Sequence, residues 1–423
     1  MLALLAALQL MAAPLPQDTL PRVSLAEALD RAAQLDPNYV AATRQINDAE
    51  WGRRVAITAF IVPAVSAQMT STWYSSEFFN IGTLEQASTI VDARLEARLN
   101  LFDGLSKFNE LTRSAADLEG ARASALEARF RTALFTESDY YDVIAQRELT
   151  RVATERVRRA NEQLAVARAR VIAGAAVQTD SLQLLLEVTQ ARVALLRQAA
   201  LLKVAQYQLG RRIGSPGAVD AMEVAGGAAP QLPISEEAAI REAVEESPQV
   251  SAARASQRSA EAAVRSARGA YLPSIDLFGR ISATDAKFFP TASTRSSAGF
   301  TISLPIWNDG VREVALSRAT TVRDVARAVR ADLELAIRRD VVEAYEAYEA
   351  ARAAAELAAQ SVVVATENLR VQQERYRAGA TTILDLITAQ VSLSEADAGL
   401  VQARYATQLA LSGLEAILGR RLF

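Results

Sequence analysis

The 423 residues include no cysteine and no histidine. That removes disulfides, thiol nucleophiles, Ser-His and Cys-His relays and the commonest zinc sites. Carboxylate-only catalysis stays open in principle. No catalytic constellation or phosphate-binding loop is visible, so no enzyme, cofactor or metal is expected. Cysteine-free chains suit a reducing compartment, or an oxidising one managed without disulfides. Lysine is nearly absent, with only Lys107, Lys203 and Lys287; the arginine excess reads as a base-composition bias. The net charge is −3, with both signs interspersed. No basic patch for nucleic acid results. Beyond the first residues no apolar run approaches the roughly 18 residues of a spanning helix.

Glycine and proline are missing where their absence says most. Between Asp103-Gly104 and Ala173-Gly174-Ala175 only Gly120 interrupts about 70 residues, and between Asp309-Gly310 and Ala378-Gly379-Ala380 nothing does. A helix of that length spans roughly 100 Å. A globular core has no use for such a rod; a structure that bridges a distance does.

The two rods belong to an internal duplication. Residues 14–214 and 234–423 carry one pattern in one order, with a Gly-, Pro- and Ala-rich linker at 215–233 (SPGAVDAMEVAGGAAPQLP). Each copy opens with a short helix signal, at 24–35 and 235–246. Ser24 and Glu27 have the spacing of a capping box; Ser235 is followed instead by Glu236 and Glu237 in the first turn. The runs end at Pro37 and Pro248, and second helices follow at about 39–58 and 249–269. Before the first copy, residues 1–13 (MLALLAALQLMAA) read as the apolar core and cleavage zone of a secretory signal without its usual positive start. A short buried helix is the other reading. With no cysteine after it, no lipid-modified cysteine is expected.

After Pro63 and Pro273 the period changes to two. Val91, Ala93, Leu95, Ala97, Leu99 and Leu101 alternate with Asp92, Arg94, Glu96, Arg98 and Asn100. Strands are expected at about 63–74, 89–102, 273–285 and 297–307, with Phe278 breaking the alternation. Their length suits a tilted bilayer crossing. Phe60, Phe102, Tyr271 and Trp307 gather near one end, and Trp73, Tyr74, Phe78, Phe79, Phe288 and Phe289 near the other, resembling two aromatic girdles. Soluble hairpins with one face on a core would alternate in the same way; charge-rich polar faces beside long rods favour the membrane. Four strands cannot close a barrel, and an open edge cannot sit in lipid. Membrane-spanning strands would therefore require several chains to share one barrel. Asp92, Arg94, Glu96 and Arg98 would then line its lumen as an ion-paired ladder.

The rods, expected at 105–173 and 311–378, carry coiled-coil seams. Ala344, Tyr348, Ala351, Ala355, Ala358, Val362, Ala365, Leu369, Gln372 and Tyr376 follow alternating steps of four and three. Returning helices are expected at 178–212 and 382–418, about half as long. The second helices would supply the missing half if stacked end to end with them.

The sequence Arg375-Tyr376-x-x-Gly379-x-x-Thr382-x-x-Asp385-x-x-x-Ala389-Gln390 is answered in the first copy by Arg170, Gly174 and Asp180. With the doubled order of elements, it resembles the TolC-type outer-membrane efflux proteins over nearly the whole chain after the leader. The resemblance implies a mainly α chain with a transmembrane β portion. Three copies would share a 12-stranded barrel in the outer membrane of a Gram-negative-type envelope, continued by a periplasmic coiled-coil barrel with the linker in a belt around it. It also implies a passive exit duct fed by an inner-membrane pump through a periplasmic adaptor docking at the tips around Gly174 and Gly379. In such proteins the position of Asp385 lines the constriction, and those of Asp180 and Tyr376 link neighbouring helices at the closed tip. Asp385 also stands three residues after Thr382, where it would cap the returning helix. Thr381 stands where a cation can complete the latch, and Thr388 where a second acidic ring can sit. Two other readings stay open: the same architecture serving type I protein secretion, and a soluble periplasmic coiled-coil scaffold or adaptor.

Overall fold

The computed structural model describes residues 20–80, 85–223, 230–287, 289 and 292–423. The expected leader at 1–13, Phe288 and residues 224–229 of the expected linker lie outside the described residues. In chain order the elements are β1 (Arg22–Val23), α1 (Leu25–Leu35), α2 (Pro37–Thr58), β2 (Ala64–Asn80), β3 (Glu85–Asp103), α3 (Ser106–Ile172) and α4 (Gln178–Arg212). There follow β4 (Asp220–Ala221), α5 (Glu236–Glu246), α6 (Pro248–Gly269), β5 (Ser274–Asp285), β6 (Ser293–Ser303), α7 (Val311–Arg377) and α8 (Ile383–Leu418). The rods α3 and α7 have 67 residues each. Pro37 and Pro248 do not precede the second helices but begin them, at the position where a missing N–H costs nothing. At the start of α1 the expected capping box is half formed. Ser24 accepts from the Glu27 N–H at 3.2 Å, while the Glu27 carboxylate turns to Arg31.

Two compact units form. One comprises Ala41–Leu126 and Val244–Ile337; the other comprises the residues up to Val40, Glu127–Ala243 and Arg338–Phe423.

The first unit holds a four-stranded antiparallel sheet in the order β2-β3-β5-β6, so β3 and β5 join the two copies. Alternation sorts the side chains. Val65, Met69, Trp73, Leu95, Ile281, Phe300 and Ile302 stand exposed on the apolar face. The polar face is cross-linked from strand to strand. Glu96 lies opposite Arg280 and pairs with it at 2.8 Å, Thr284 donates to Asp92 at 2.9 Å and Asn100 to Asp276 at 3.1 Å, while within β3 Arg98 reaches Glu96 at 3.1 Å. Phe278, the exception to alternation, lies opposite Gly299, where a Cβ would meet its ring at 3.0 Å. Among the described residues no strand pairs with the outer edge of β2 or of β6.

Strand ends differ from the alternation. β2 and β3 run on past a register shift between Trp73 and Phe78 to pair Phe78 with Ala87 and Phe79 with Gln86. Tyr74 and Phe78 pack edge to face at 4.9 Å there, and this aromatic pair hides the period. β6 is shifted toward the N-terminus, stopping at Ser303 where 307 was expected. Pro305 has no N–H to continue the ladder. The Arg312 guanidinium instead takes the Pro305 and Ile306 carbonyls at 2.7 and 3.0 Å.

In the second unit the expected linker contributes structure of its own. β4 pairs in parallel with β1, Val23 beside Ala221, over a core that includes Tyr140, Val143, Ile144, Leu209 and Val219. The Tyr140 hydroxyl lies 2.9 Å from the Met222 carbonyl and 3.2 Å from that of Val23, and Arg147 holds Asp220 at 3.1 Å. Arg421 pairs with both Glu137 and Glu415, whose side chains are almost wholly buried. Leaving a buried carboxylate unpartnered costs about 3–5 kcal/mol. That penalty ties the last residues to α3 and α8. Every position of the α7 seam from Ala344 to Tyr376 is covered or partly covered, with Tyr348, Leu369 and Tyr376 fully buried.

Candidate functional site

The site is the pair of tips where α3 turns into α4 and α7 into α8, all within the second unit. Both rods end in the same way. Gly174 and Gly379 take φ of +71° and +73°, the left-handed conformation that lets a helix stop. The Gly174 and Gly379 N–H groups donate to Val171 and Tyr376 carbonyls, and Ala175 and Ala380 N–H groups donate to Arg170 and Arg375 carbonyls at 2.8 Å each. Arg170 and Arg375 then reach forward to the Ala175 and Ala380 carbonyls at 3.3 and 3.4 Å. Below the tips α3, α4, α7 and α8 share one core, including Leu164, Leu184, Leu369, Ile383, Leu386 and Leu393.

The tips diverge one residue before the returning helix. Thr382 closes a reciprocal capping box with Asp385. The Asp385 carboxylate accepts from the Thr382 hydroxyl at 2.7 Å, the Thr381 hydroxyl at 2.8 Å and the Thr382 N–H at 3.1 Å. These donors hold the exposed carboxyl below the usual carboxylate range. Thr381, in the place of a possible latch cation, is therefore spent within its own tip. Thr388 also bonds locally, to the Leu384 carbonyl. In the first tip the residue before α4 is Val177, which offers no side-chain cap.

Asp180 is engaged from another helix. The Tyr376 hydroxyl donates to it at 3.3 Å. Burial and the facing Asp180 charge push the phenol pKa up, opposed by Arg170. Arg170 lies over the Tyr376 ring at 4.7 Å and also bonds the Tyr376 carbonyl. The structure thus brings Asp180 and Tyr376 together and adds Arg170, a residue that sequence reading treated only as a repeat counterpart. Its signal was the shared position before the glycine; nothing in the sequence announced the ring beneath it. Asp385, Gly174 and Gly379 stand at the tips but do not touch this cluster's phenol. Among the described residues no acidic cluster is arranged to hold a metal, and no helix is long and apolar enough to cross a membrane.

Similarity to known proteins follows the same lines. The family described as outer membrane efflux protein matches residues 239–420, almost the whole second copy. The outer membrane efflux protein BepC of Brucella suis biovar 1 is 26% identical over 322 residues, covering 76% of this chain and 70% of BepC. The pyoverdine export outer membrane protein OpmQ of Pseudomonas putida is 27% identical over 391 residues, covering 88% of this chain and 80% of OpmQ. The solved Campylobacter jejuni CmeC outer membrane channel superposes with a TM-score of 0.79 over 93% of this chain and 85% of CmeC, at 15% identity. With its doubled strand–rod pattern, its sheet and its paired tips, the chain has the fold of these channels, and its second copy matches the outer membrane efflux protein family.

Proposed function

We propose that the chain is the outer-membrane exit duct of an efflux system, acting as a homotrimer fed through a periplasmic adaptor by an inner-membrane pump. The observation that carries this is the sheet. Its apolar face is exposed, its polar face is internally ion-paired, and among the described residues its two outer edges have no partner strand. Lipid tolerates an exposed apolar face but not open edges. Copies of the chain pairing edge to edge satisfy both, and three is the number that the TolC-type resemblance implies. The charged face then lines a wet lumen. Conduction is passive, since the chain has no phosphate-binding loop to couple to nucleotide.

The tips are the periplasmic end. Asp180 and Tyr376 form a latch that holds the tip closed. Asp385, kept ionised by its threonine donors, supplies a ring of charge at the constriction that favours cations. The exposed turns at Gly174 and Gly379 are the docking points of the adaptor. OpmQ exports pyoverdine by its name; for this chain the cargo is chosen by the pump.

Envelope fractionation tests the duct. The expected result is a species in outer-membrane fractions that migrates as an oligomer on semi-native gels and collapses to the single chain on boiling. Monomer in the detergent-free soluble periplasmic fraction would instead support a scaffold or adaptor.

A further inference from the structure

Phe278 breaks the alternation of β5, and a simple duct leaves it unexplained. Its rung of the sheet reads Ala64, Arg98, Phe278 and Gly299 across the four strands. The rung stands on the polar face, with Glu96 and Arg280 two residues away along β3 and β5. From the Asp92 rung to the Asn100 rung, Phe278 is the single aromatic on that face among the described residues. The far end of its ring rests on Gly299, where an added Cβ would lie 3.0 Å from Cζ. Covering a glycine with a cross-strand aromatic is a structural device of sheets, and it accounts for how the ring is held. It does not account for a half-exposed phenyl on a face otherwise small, polar or charged. With Ala64 and Gly299 at the outer positions of the rung, Arg98 and Phe278 stand clear of the wall.

The charge beside the ring is uneven. Two guanidiniums share the Glu96 carboxylate, Arg280 at 2.8 Å on Oε2 and Arg98 at 3.1 Å on Oε1. Arg280 also lies 6.0 Å from the centre of the Phe278 ring. Arg98 reaches Glu96 through Nη2, and its side chain is 60% exposed, so the rest of its donor fork faces water. Asp276, one rung further, takes the Asn100 amide at 3.1 Å. A phenyl ring with an open guanidinium fork beside it matches an aromatic carboxylate. The ligand's ring stacks on Phe278, and its carboxylate takes the fork of Arg98. We propose that Phe278 and Arg98, backed by Gly299 and Arg280, form a landing site for aromatic carboxylates on the barrel wall. The site works only within the duct proposed above, where this face lines the path. There it adds a preference of the wall to the choice the pump makes.

Single-channel recording on the full chain tests this. Naphthoate is added on the barrel side, so that it need not pass the tips, and its apparent affinity is read from the concentration dependence of current reduction. Phe278→Leu keeps an apolar cover over Gly299 and should weaken naphthoate roughly 2- to 12-fold. Arg98→Gln leaves Glu96 paired with Arg280 and should weaken it by up to about 5-fold. Decahydronaphthoate, which has the charge but no aromatic ring, should act alike on the native pore and on Phe278→Leu. Naphthylmethylammonium, which has the ring but the opposite charge, should not be weakened by Arg98→Gln. Unchanged naphthoate affinity in both variants, in pores of native conductance, would overturn the landing site and leave the duct standing. An equal loss for decahydronaphthoate in Phe278→Leu would assign the effect to a changed wall and overturn the stack. Arg98→Gln touches neither Phe278 nor Gly299, so it decides alone should the Phe278 variant not assemble. A native chain that forms no channel would remove the duct, and the site with it.

Discussion

The first and second tips descend from one pattern and solve one problem in two ways. Each must place a carboxylate in the first turn of a returning helix, at Asp180 and at Asp385. The second tip satisfies its carboxylate locally, through Thr381 and Thr382. The first has Ala176 and Val177 at those positions and no side-chain cap. Its carboxylate takes its hydroxyl from Tyr376, on the other tip. Two polar residues lost from one copy and one phenol present in the other turn a capping residue into a link between helices. Duplication thus yields one tip that is self-sufficient and one that depends on its neighbour.

The largest effect expected at the tips is one on which they should agree. Gly174→Val and Gly379→Val each force a β-branched residue into the left-handed region, at roughly 1–2 kcal/mol. Neither glycine has a heavy atom within 4 Å of the added Cβ, so the dihedral sets the cost at both. Hydrogen exchange at Ala175 and Ala380 should quicken roughly 5- to 30-fold in the two variants alike. A much smaller effect at Gly174 would break the equivalence and show that the Tyr376 link stiffens the first turn independently of its glycine.

How much of this the sequence disclosed depends on how local the cause is. Gly174 and Gly379 were legible because a helix stop needs a left-handed residue within a few positions. The 67-residue rods were legible because nothing interrupts them. The end of β6 was missed although Pro305 was in plain view, since alternation outran the one residue that could not donate. The β1–β4 pair was missed because two residues carry no period, and their partners lie some 200 positions apart. At the site, the Thr382–Asp385 cap follows from spacing alone. Tyr376 and Asp180 came from resemblance, because a contact across 196 positions leaves no local trace. Arg170 over the Tyr376 ring was legible in neither way. A stacking partner is fixed by how four helices share a core, not by its neighbours in sequence.

A middle-sized effect should separate the tips. Thr382→Val removes the N-cap and copies the first tip into the second. The expected cost is about 1 kcal/mol, near fivefold in exchange at the start of α8. The reverse change, Val177→Thr, gives α4 a cap of similar worth. It also offers Asp180 a local hydroxyl in competition with Tyr376. The expected result is a firmer start to α4 together with a weaker hold between tips, read as slower exchange at Asp180 and higher open probability. If Val177→Thr strengthened both, capping and latching would not compete, and the division between a self-sufficient and a dependent tip would fall.

The smallest effect is the pH response, and its sign should differ between the tips. Asp385 has its pKa lowered in the fold below the ordinary 3.8, chiefly by the hydroxyls of Thr382 and Thr381 and with help from Arg375. A depressed carboxyl contributes stability that is present above its unfolded pKa and lost as pH falls through the folded one. The second tip should therefore loosen only at pH below about 3.8, by fraying of α8. Tyr376 has its pKa raised above the ordinary 10.0, by burial first and then by Asp180, with Arg170 opposing. A raised group contributes stability that is complete below its unfolded pKa and disappears as pH rises through the folded one. The latch should accordingly fail on the alkaline side, above about pH 10, where a phenolate would face the Asp180 carboxylate. Single-channel recording across this range should show open probability rising at alkaline pH in the native protein. That rise should be absent in Tyr376→Phe, which starts more open and has no proton to lose. An identical alkaline rise in both would assign it to the titration of other tyrosines and of lysines, or to unfolding, and would remove Tyr376 from the latch. Thr382→Val should leave the alkaline limb in place and move only the acid one.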